Sequence, residues 1–141
     1  MSEQNKQLVI TFLEAMGKGD TATAGTCLHP EAVTIAKGFG KCSGIRHIDR
    51  ILGTIEAFRD LIPDGLKVTI HSLLSEDDQV AVEFEGDAVL YNGTPYCNQY
   101  CMIFTVEEGK IKQVNEYFCT ILADETLYPL IAPAEQPVAA P

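Results

Sequence analysis

The sequence predicts one α+β domain in which helices come first and a sheet follows. Up to residue 65, apolar side chains recur at three- and four-residue intervals, the spacing of one helix face. Beyond residue 65 the apolar pattern changes to a period of two, which is typical of strands. With 141 residues the chain has the length of a single domain with one core. We therefore expect a cone-shaped fold, in which a curved, mixed or antiparallel sheet wraps around three N-terminal helices and encloses an internal pocket.

Local signals divide the N-terminal half into three helices and one short strand. Leu8, Phe12 and Met16 lie on the apolar face of the first helix, which the stretch GKGD ends. Asp20 is a suitable N-cap for a second, shorter helix. A glycine-rich loop precedes the third helix, and its glycines permit motion. The predicted elements are helices at 4–18, 21–28 and 45–62, a strand at 31–36 and the loop at 37–44.

The C-terminal half shows four strand patterns separated by short polar stretches. EDD, NGT and EEG lie between these strands, so consecutive strands are expected to form an antiparallel meander. After residue 128 the chain carries four prolines with alanines between them, a composition predicted neither to pack nor to form a helix. We therefore expect one domain at 1–128 and a flexible tail at 129–141. The predicted strands are 66–75, 79–91, 95–107 and 110–122.

Composition and charge argue against several classes of partner. Acidic residues number 20 and basic residues 10, so the net charge of -10 repels polyphosphate and nucleic acid is not an expected partner. No apolar run approaches about 18 residues and the N-terminus lacks a signal-peptide pattern, which predicts no membrane segment and a cytoplasmic location. The five cysteines form no C-x2-C pair, and no two histidines share a ligand spacing with a carboxylate. We expect no metal and no other cofactor.

The last hairpin decides which side chains share a face of the sheet. If Glu107 pairs with Lys110 across a two-residue turn, Cys101 lies opposite Glu116 in the antiparallel ladder. Both faces then mix polar and apolar side chains, which suggests that water reaches little of either face. A second copy of the chain packed on the outer face is the simplest explanation, so we expect a homodimer. One face carries Gln99, Cys101, Ile103, Glu116 and Phe118, and the other carries Asn98, Tyr100, Tyr117 and Cys119.

Three stretches of the chain carry a family resemblance: FLEAMGKGD, HPEAVTIAKGFGKCSGIRHI and GTPYCNQYCMIFTVEEGKIKQVNEYF. Together they resemble the nuclear transport factor two-like superfamily, in its SnoaL-like and ketosteroid isomerase-like branch, over residues 4 to 122. The resemblance implies the cone-shaped fold. It does not select an activity, because this superfamily includes isomerases, cyclases, dehydratases, epoxide hydrolases and non-catalytic binding proteins.

The resemblance also shows which catalytic positions of the ketosteroid isomerases are changed. Their helix tyrosine falls on Phe12, their aspartate base on Ala36 or Lys37, and their protonated aspartic acid on Cys101. Phenylalanine has no proton to donate, alanine cannot accept one, and a buried thiol is a poor donor. Many SnoaL-like members carry an aspartate where this chain has Cys119. We therefore do not expect steroid isomerisation by that mechanism.

The same resemblance places Cys101, Glu116 and Phe118 inside the cone. Glu116 is then the candidate catalytic residue, because a carboxylate among apolar neighbours has the raised pKa that a general acid or base requires. The alternative is a structural carboxylate that is hydrogen-bonded in the sheet or in a dimer contact. The predicted pocket residues are Phe12, Met16, Phe39, Phe58, Gln99, Cys101, Ile103 and Phe118.

Two classes of function follow from this reasoning. In the first, a small and largely apolar molecule, of polyketide or steroid type, enters the pocket and undergoes isomerisation, cyclisation or elimination with Glu116 as the proton-transferring group. In the second, the protein is a non-catalytic ligand-binding or dimerisation module, because the positions of the isomerase residues have lost their chemistry. A pocket carboxylate with a raised pKa favours the first class, and a pocket with only apolar and amide groups favours the second.

Overall fold

The computed structural model describes residues 2–135 and confirms the predicted α+β architecture. Three helices and two strands form the N-terminal half, four long strands follow, and a short helical region ends the described chain. No helix among these residues is both long and apolar enough to cross a bilayer. The elements are α1 (Ser2–Lys18), α2 (Thr21–Cys27), β1 (Leu28–Ala36), β2 (Gly44–His47), α3 (Ile48–Leu61), β3 (Lys67–Glu76), β4 (Gln79–Val89), β5 (Pro95–Glu107), β6 (Lys110–Phe118), α4 (Thr120–Leu122), a π-helical turn (Ala123–Leu127) and α5 (Tyr128–Glu135).

The six strands form one curved, open and mixed sheet in the order β2-β1-β6-β5-β4-β3. β1 runs parallel to β6, and every other neighbouring pair is antiparallel. Helix α1 lies on the inner face of this sheet, where Val9, Phe12 and Leu13 pack against Phe84 and Phe104. Burial of these side chains removes a large apolar area from water and closes one end of the cone.

Two local devices fix the path of the chain between the helices and the sheet. The backbone N–H of Thr23 donates to the carboxylate of Asp20 at 3.1 Å, so Asp20 caps α2 as predicted. Near the end of α1, the N–H of Leu66 donates to the carbonyl of Gly17 at 2.7 Å. A side chain at position 17 would meet the Leu66 carbonyl oxygen at 2.6 Å from its Cβ, so only glycine allows this approach. The start of β3 is thereby held against α1.

A β-bulge in the last hairpin makes the predicted strand register wrong. Glu107 pairs with Lys110 as expected, but the register then shifts by one residue, and Thr105 pairs with Gln113. Lys112 is the extra residue of the bulge. Glu116 consequently lies opposite Met102 instead of Cys101. Side chains alternate between the two faces of the sheet, so this single extra residue changes which face of β5 supplies the partners of Glu116 and Phe118. Phe118 accordingly lies opposite Tyr100 instead of Gln99.

Two further differences concern the strands around β1. β1 begins at Leu28, which pairs with Ile111, whereas the sequence predicted that His29 and Pro30 would close α2. Pro30 has no N–H to donate, and it lies in the irregular part of the ladder where none is required. The strand β2 was not predicted, because Ile45 and Ile48 have helical spacing; pairing of Ile45 with Ile35 at the sheet edge overrides that pattern.

The C-terminal residues up to Glu135 differ from the expectation that the chain after residue 128 would neither pack nor form a helix. The strand β6 ends at Phe118, and helical turns follow instead of the predicted strand to residue 122. Pro129 lies in the first turn of α5, where a proline is tolerated, and Leu130 and Ile131 pack against a second apolar cluster. The rest of the predicted tail, 136–141, lies outside the described residues.

Candidate functional site

A cavity of about 720 Å³ lies between the inner face of the sheet, α3 and the C-terminal helical region. This volume is within the usual range for small-molecule sites, roughly 300–1,000 Å³. Most of the lining is apolar and aromatic, with a few polar groups. The lining includes Phe12, Met16, Thr34, Ala36, Arg46, Arg50, Gly53, Thr54, Ala57, Phe58, Asp60, Tyr91, Tyr96, Tyr100, Met102, Glu116, Phe118, Leu127, Leu130 and Ile131.

The exposed members of the lining mark the mouth of the cavity. On α3 these are Arg50, Gly53, Ala57 and Asp60, which recur at three- and four-residue intervals along one side of the helix. Tyr91, in the turn after β4, is 61% exposed and also borders the cavity. The mouth therefore follows the edge of α3, and the interior extends from there to the sheet.

Glu116 lies on the inner face of the sheet among apolar neighbours. The register places Ala36 of β1 on one side of it and Met102 of β5 on the other. Desolvation by these surroundings raises the pKa of the Glu116 carboxyl from 4.5 to about 7, and the positive charge of Arg46 opposes this increase. Close to neutral pH, Glu116 is therefore able both to accept and to donate a proton.

Two tyrosines of β5 form a hydrogen-bonded pair beside Glu116. Asn98 Nδ2 donates to the Tyr96 hydroxyl at 2.8 Å, and the Tyr96 and Tyr100 hydroxyls share a further hydrogen bond. Burial raises the pKa of both phenols, that of Tyr100 well above its usual value, and the nearby Glu116 charge also raises the pKa of Tyr100. The Tyr100 ring stacks on Phe84 with 4.7 Å between centroids, which fixes its position.

The hydrogen bonds of this pair leave one hydroxyl proton for another acceptor. Because Asn98 donates to the Tyr96 oxygen, the Tyr96 proton does not point toward Asn98. The two hydroxyls have two protons, and one of them serves the bond between Tyr96 and Tyr100. Asn98 itself is held by the backbone of Cys119, which it contacts at 3.2 and 3.3 Å. The cavity therefore contains a carboxyl group and a tyrosine hydroxyl proton that neither of these two hydrogen bonds uses.

The structure brings together about half of the residues predicted for the pocket. Phe12, Met16, Phe58, Glu116 and Phe118 line the cavity. Because of the bulge, three of the predicted pocket residues on β5 lie on the outer face, and their neighbours on β5, which were assigned to the outer face, lie on the inner face. Gln99, Cys101 and Ile103 alternate with the inward residues of β5 and lie on the outer face, whereas Tyr100 lines the cavity and Asn98 is buried.

The remaining predicted residues lie outside this cavity. Phe39 is fully exposed in the loop before β2 and borders a separate, shallow pocket that also includes Tyr117 and Ile121. That loop is held in place, because the Lys41 N–H donates to the Asp124 carboxylate at 2.8 Å. Tyr117 and Cys119 are exposed, and neither lines the cavity.

Sequence reasoning missed several residues of the cavity. Tyr96 and Met102 were missed because no sequence signal located the bulge at Lys112. Arg46 was missed because the unpredicted strand β2 brings it opposite Thr34, on the inner face. The C-terminal wall, Leu127, Leu130 and Ile131, was also missed: Leu130 and Ile131 belong to the predicted tail, and Leu127 lies between that tail and the last predicted strand.

Within residues 2–135, one group of side chains has the spacing of a metal site. His29, Glu107 and Glu108 bring their ligand atoms within 4.8 Å of one another at the far end of the sheet from the cavity mouth. The Glu31 N–H donates to His29 Nδ1 at 3.0 Å, so the proton of a neutral His29 ring is on Nε2, facing the two carboxylates. This protonation state favours a hydrogen bond between His29 and the carboxylates over a metal.

Comparison with solved structures agrees with the fold. Bal32a, from a soil-derived mobile gene cassette, is 20% identical with a TM-score of 0.75, over 88% of this chain and 96% of that chain. A putative isomerase from Bacillus subtilis is 19% identical with a TM-score of 0.75, over 87% and 91%. An LEH-like epoxide hydrolase from M. tuberculosis is 18% identical with a TM-score of 0.72, over 96% and 98%. At these identities the likeness concerns the fold alone.

The sequence itself matches a family model more directly. No curated protein matches the chain closely enough to be a relative. The model of the SnoaL-like domain, however, matches residues 9–114, which extend from α1 through the bulge of β6. The resemblance seen in the sequence is thereby confirmed, and the chain belongs to the family of SnoaL-like domains, within the nuclear transport factor two-like fold.

Proposed function

We propose that the cavity binds a small, largely apolar molecule and that Glu116 exchanges a proton with it, in a reaction of the isomerase, cyclase or lyase type. The observation that carries this proposal is the position of Glu116, a carboxyl group flanked by Ala36 and Met102 on the inner face of the cavity. A carboxyl group in such surroundings has a pKa of about 7 and is suited to general acid–base catalysis at neutral pH.

The hydroxyl pair narrows the chemistry that this site supports. Loss of a proton from carbon leaves negative charge on the substrate, and the charge is stabilised when it resides on an oxygen that accepts a hydrogen bond. Tyr96 and Tyr100 supply one such donor in the cavity that Glu116 also lines, and the charge of Glu116 acts on Tyr100. The arrangement favours a substrate with a carbonyl oxygen next to an acidic C–H bond: Glu116 takes the proton, and the oxygen of the resulting enolate accepts the hydrogen bond.

Deuterium exchange into simple ketones tests this proposal with no natural substrate in the assay. Apolar ketones such as 2-decanone and 2-tetralone are incubated with the protein in D2O, and deuterium at the carbon next to the carbonyl is followed by NMR. We expect exchange above the buffer rate with the wild type, a loss of at least about tenfold in Glu116→Gln, and no loss in Glu83→Gln, whose carboxylate is exposed on β4. Equal exchange rates in Glu116→Gln and the wild type would remove Glu116 from the mechanism.

A second candidate function is non-catalytic binding of the same class of molecule. Phe12 and Ala36 line the cavity at positions where the resembling isomerases have catalytic groups, which favours this alternative. It predicts that the ketones bind and are not exchanged. Binding is measured independently by the change in NMR line width of each ketone, so binding without exchange separates the two candidates.

Homodimerisation through the outer face also belongs to this proposal. Phe39, Tyr117 and Ile121 expose apolar surface around the shallow pocket, at 105%, 44% and 69% of their reference areas. Exposed apolar surface of this kind is typical of protein contacts. Analytical ultracentrifugation gives the mass directly, and a monomer at all concentrations would exclude the dimer. The cytoplasmic location stays a prediction from the sequence.

A further inference from the structure

Asn98 lies between the two cavity tyrosines of β5 in the sequence and is buried, at 3% exposure. The backbone N–H groups of Gln99 and Cys119 both donate to Asn98 Oδ1, at 2.8 and 3.3 Å. Asn98 Nδ2 donates to the carbonyl of Cys119 at 3.2 Å and to the Tyr96 hydroxyl at 2.8 Å. These backbone partners permit one orientation of the side-chain amide, so the group that faces Tyr96 is a donor.

The rings of both tyrosines are held by contacts that do not involve Asn98. The Tyr96 ring is buried in the second apolar cluster. The Tyr100 ring is stacked on Phe84 and lies beside Gly86, where a Cβ would be 3.1 Å from Tyr100 Cε1. A substitution at position 98 should therefore alter the hydrogen bonds of the hydroxyl groups more than the positions of the rings.

A donor at position 98 determines how many protons the tyrosine pair has left. The two hydroxyl groups carry two protons, and one of them makes the bond between Tyr96 and Tyr100. Because Asn98 Nδ2 donates to the Tyr96 oxygen, it does not take up the second proton. An acceptor in place of Nδ2 would bind the Tyr96 proton, the Tyr100 proton would then make the bond between the hydroxyls, and none would remain.

We infer that Asn98 is a positioning residue: by donating to Tyr96, it leaves one hydroxyl proton of the tyrosine pair for an oxygen of the ligand. Both tyrosines line the cavity, so a ligand there reaches their hydroxyl groups. The ligand that this arrangement favours presents an acceptor oxygen, of carbonyl or enolate type. The inference rests on the proposed function and adds to it the residue that gives the tyrosine pair its donor.

Asn98→Asp tests the inference because it replaces Nδ2 by an acceptor in a side chain of the same size. Two backbone N–H groups and the Tyr96 hydroxyl then donate to the carboxylate and favour its ionised form. The probes are 2-acetylnaphthalene and 2-isopropenylnaphthalene, a ketone and an alkene that differ only in the replacement of C=O by C=CH2. Equilibrium dialysis near pH 8 measures the affinity of each probe.

We expect the ratio of ketone affinity to alkene affinity to fall at least about fivefold in Asn98→Asp, because the carbonyl oxygen then faces hydroxyl groups with no proton to donate. The infrared stretching frequency of the bound, isotope-labelled carbonyl reports the same hydrogen bond and should be lower in the wild type than in Asn98→Asp. Asn115→Asp is the matched control on the outer face: Asn115 Oδ1 already accepts from Gln113 at 3.0 Å, so both readouts should stay unchanged.

A double-mutant cycle separates this role from a structural one. In Tyr96→Phe, Asn98 has no hydroxyl to donate to, and the Tyr100 hydroxyl keeps its own proton. Asn98→Asp should therefore change the affinity ratio less than about twofold in the Tyr96→Phe background. A fall of the same size in both backgrounds would overturn the inference, because Asn98 would then act through its bonds to Cys119 and the fold.

Tyr100→Phe carries the test with Asn98 intact if circular dichroism and thermal unfolding show that Asn98→Asp is not folded. The Tyr96 proton is then the one that remains, so the affinity ratio should stay within about twofold of the wild-type value. A ratio as low as that of the Tyr96→Phe/Tyr100→Phe double variant would mean that Tyr96 donates to Asn98, and would overturn the inference.

The outcomes separate the inference from the proposed function. A wild-type ratio in folded Asn98→Asp, together with a low ratio in Tyr96→Phe/Tyr100→Phe, would overturn the role of Asn98 and leave the tyrosine donor of the proposed function intact. A wild-type ratio in Tyr96→Phe/Tyr100→Phe would show that neither hydroxyl meets the ketone, and a wild type that binds neither probe would show that the cavity does not take such molecules. In both of these cases the inference and the proposal beneath it fail together.

Discussion

On the inner face of the sheet, the two ends of the β5–β6 hairpin differ in packing: one end is part of a closed core and the other borders the cavity. Near its turn, Phe104, Ile111 and Val114 are at most 1% exposed and belong to a closed apolar core. Farther along the same strands, Met102 and Glu116 line the cavity. The two strands pair along both regions, and the bulge at Lys112 lies near the turn, in the closed region. The difference therefore comes from what covers the sheet.

The cover at the turn end is a close-packed pair of helices, whereas the other end is spanned by α3 and α5. Phe12 of α1 packs edge-on against Phe104 with 6.1 Å between ring centroids, and Ala24 and Cys27 of α2 complete that core. At the cavity end, Phe58 and Leu130 line a space that remains open over the sheet. One end of the cone thus supplies stability and the other supplies the site, so substitutions at the two ends should have different consequences.

The largest effect should follow from truncation at the closed end. Phe104→Ala removes a fully buried ring and leaves a cavity that the surrounding core cannot fill, so we expect a loss of about 4 kcal/mol in the free energy of unfolding. Denaturant unfolding at pH 6 measures it. Phe118→Ala is the matched variant at the open end: this ring is half-buried and already borders empty space, and we expect a loss of about 1 kcal/mol. Similar losses for both rings would show that the two ends are packed alike.

The next effect concerns the pH dependence of stability. The pKa of Glu116 is about 7 in the folded protein and 4.5 in the reference state, so between these values the folded protein keeps a proton that the unfolded chain loses. Stability contributed by this group is therefore complete below pH 4.5, declines as pH rises, and levels off above pH 7. At about 1.4 kcal/mol for each pKa unit the total decline is about 3 kcal/mol.

A glutamine at position 116 cannot titrate, so it should remove this decline. We expect the free energies of unfolding of the wild type and Glu116→Gln to converge near pH 4.5, to differ increasingly up to about pH 7 and to keep that difference at higher pH, with the variant more stable. Glu83→Gln, at an exposed position of β4, is the control and should follow the wild-type curve. A constant difference between the wild type and Glu116→Gln across this range would contradict a carboxyl group held in the apolar cavity.

The same comparison shows how much the sequence could predict. Periodicity and turn residues located the long elements, and the family resemblance placed Glu116, Phe118 and Phe12 at the cavity. These assignments depend on local patterns that the fold preserves. Cys101 was assigned wrongly because a bulge depends on how two strands pair over their whole length, and the sequence of β6 alternates no differently on either side of it.

Arg46 and α5 were beyond local reasoning for a different reason. Arg46 lies in the cavity because an edge strand of four residues pairs with β1, a tertiary contact that outweighs the helical spacing of its neighbours. The helix α5 forms despite its prolines because Leu130 and Ile131 find an apolar surface built by distant elements. The candidate acid was thus accessible from the sequence, whereas its charged and apolar surroundings required the folded chain.

The smallest expected effect tests whether the bulge alone explains the change of register. Deletion of Lys112 removes the extra residue and leaves Val106 opposite Ile111 and Thr105 opposite Gln113, so the ladder becomes regular and Glu116 keeps its place opposite Met102. The deletion also removes the ion pair of Lys112 with Glu31 at 3.1 Å, which is exposed and contributes little. We expect a loss of about 1 kcal/mol in the free energy of unfolding, and the same decline of stability between pH 4.5 and 7 that the intact chain shows.

Loss of that pH dependence in a folded deletion variant would mean that Glu116 has turned to the outer face, and that the bulge is needed to hold the carboxyl group in the cavity. Its persistence would show that the pairing beyond the bulge, fixed by Phe104 and Val114 in the closed core, determines which side of the sheet carries the acid.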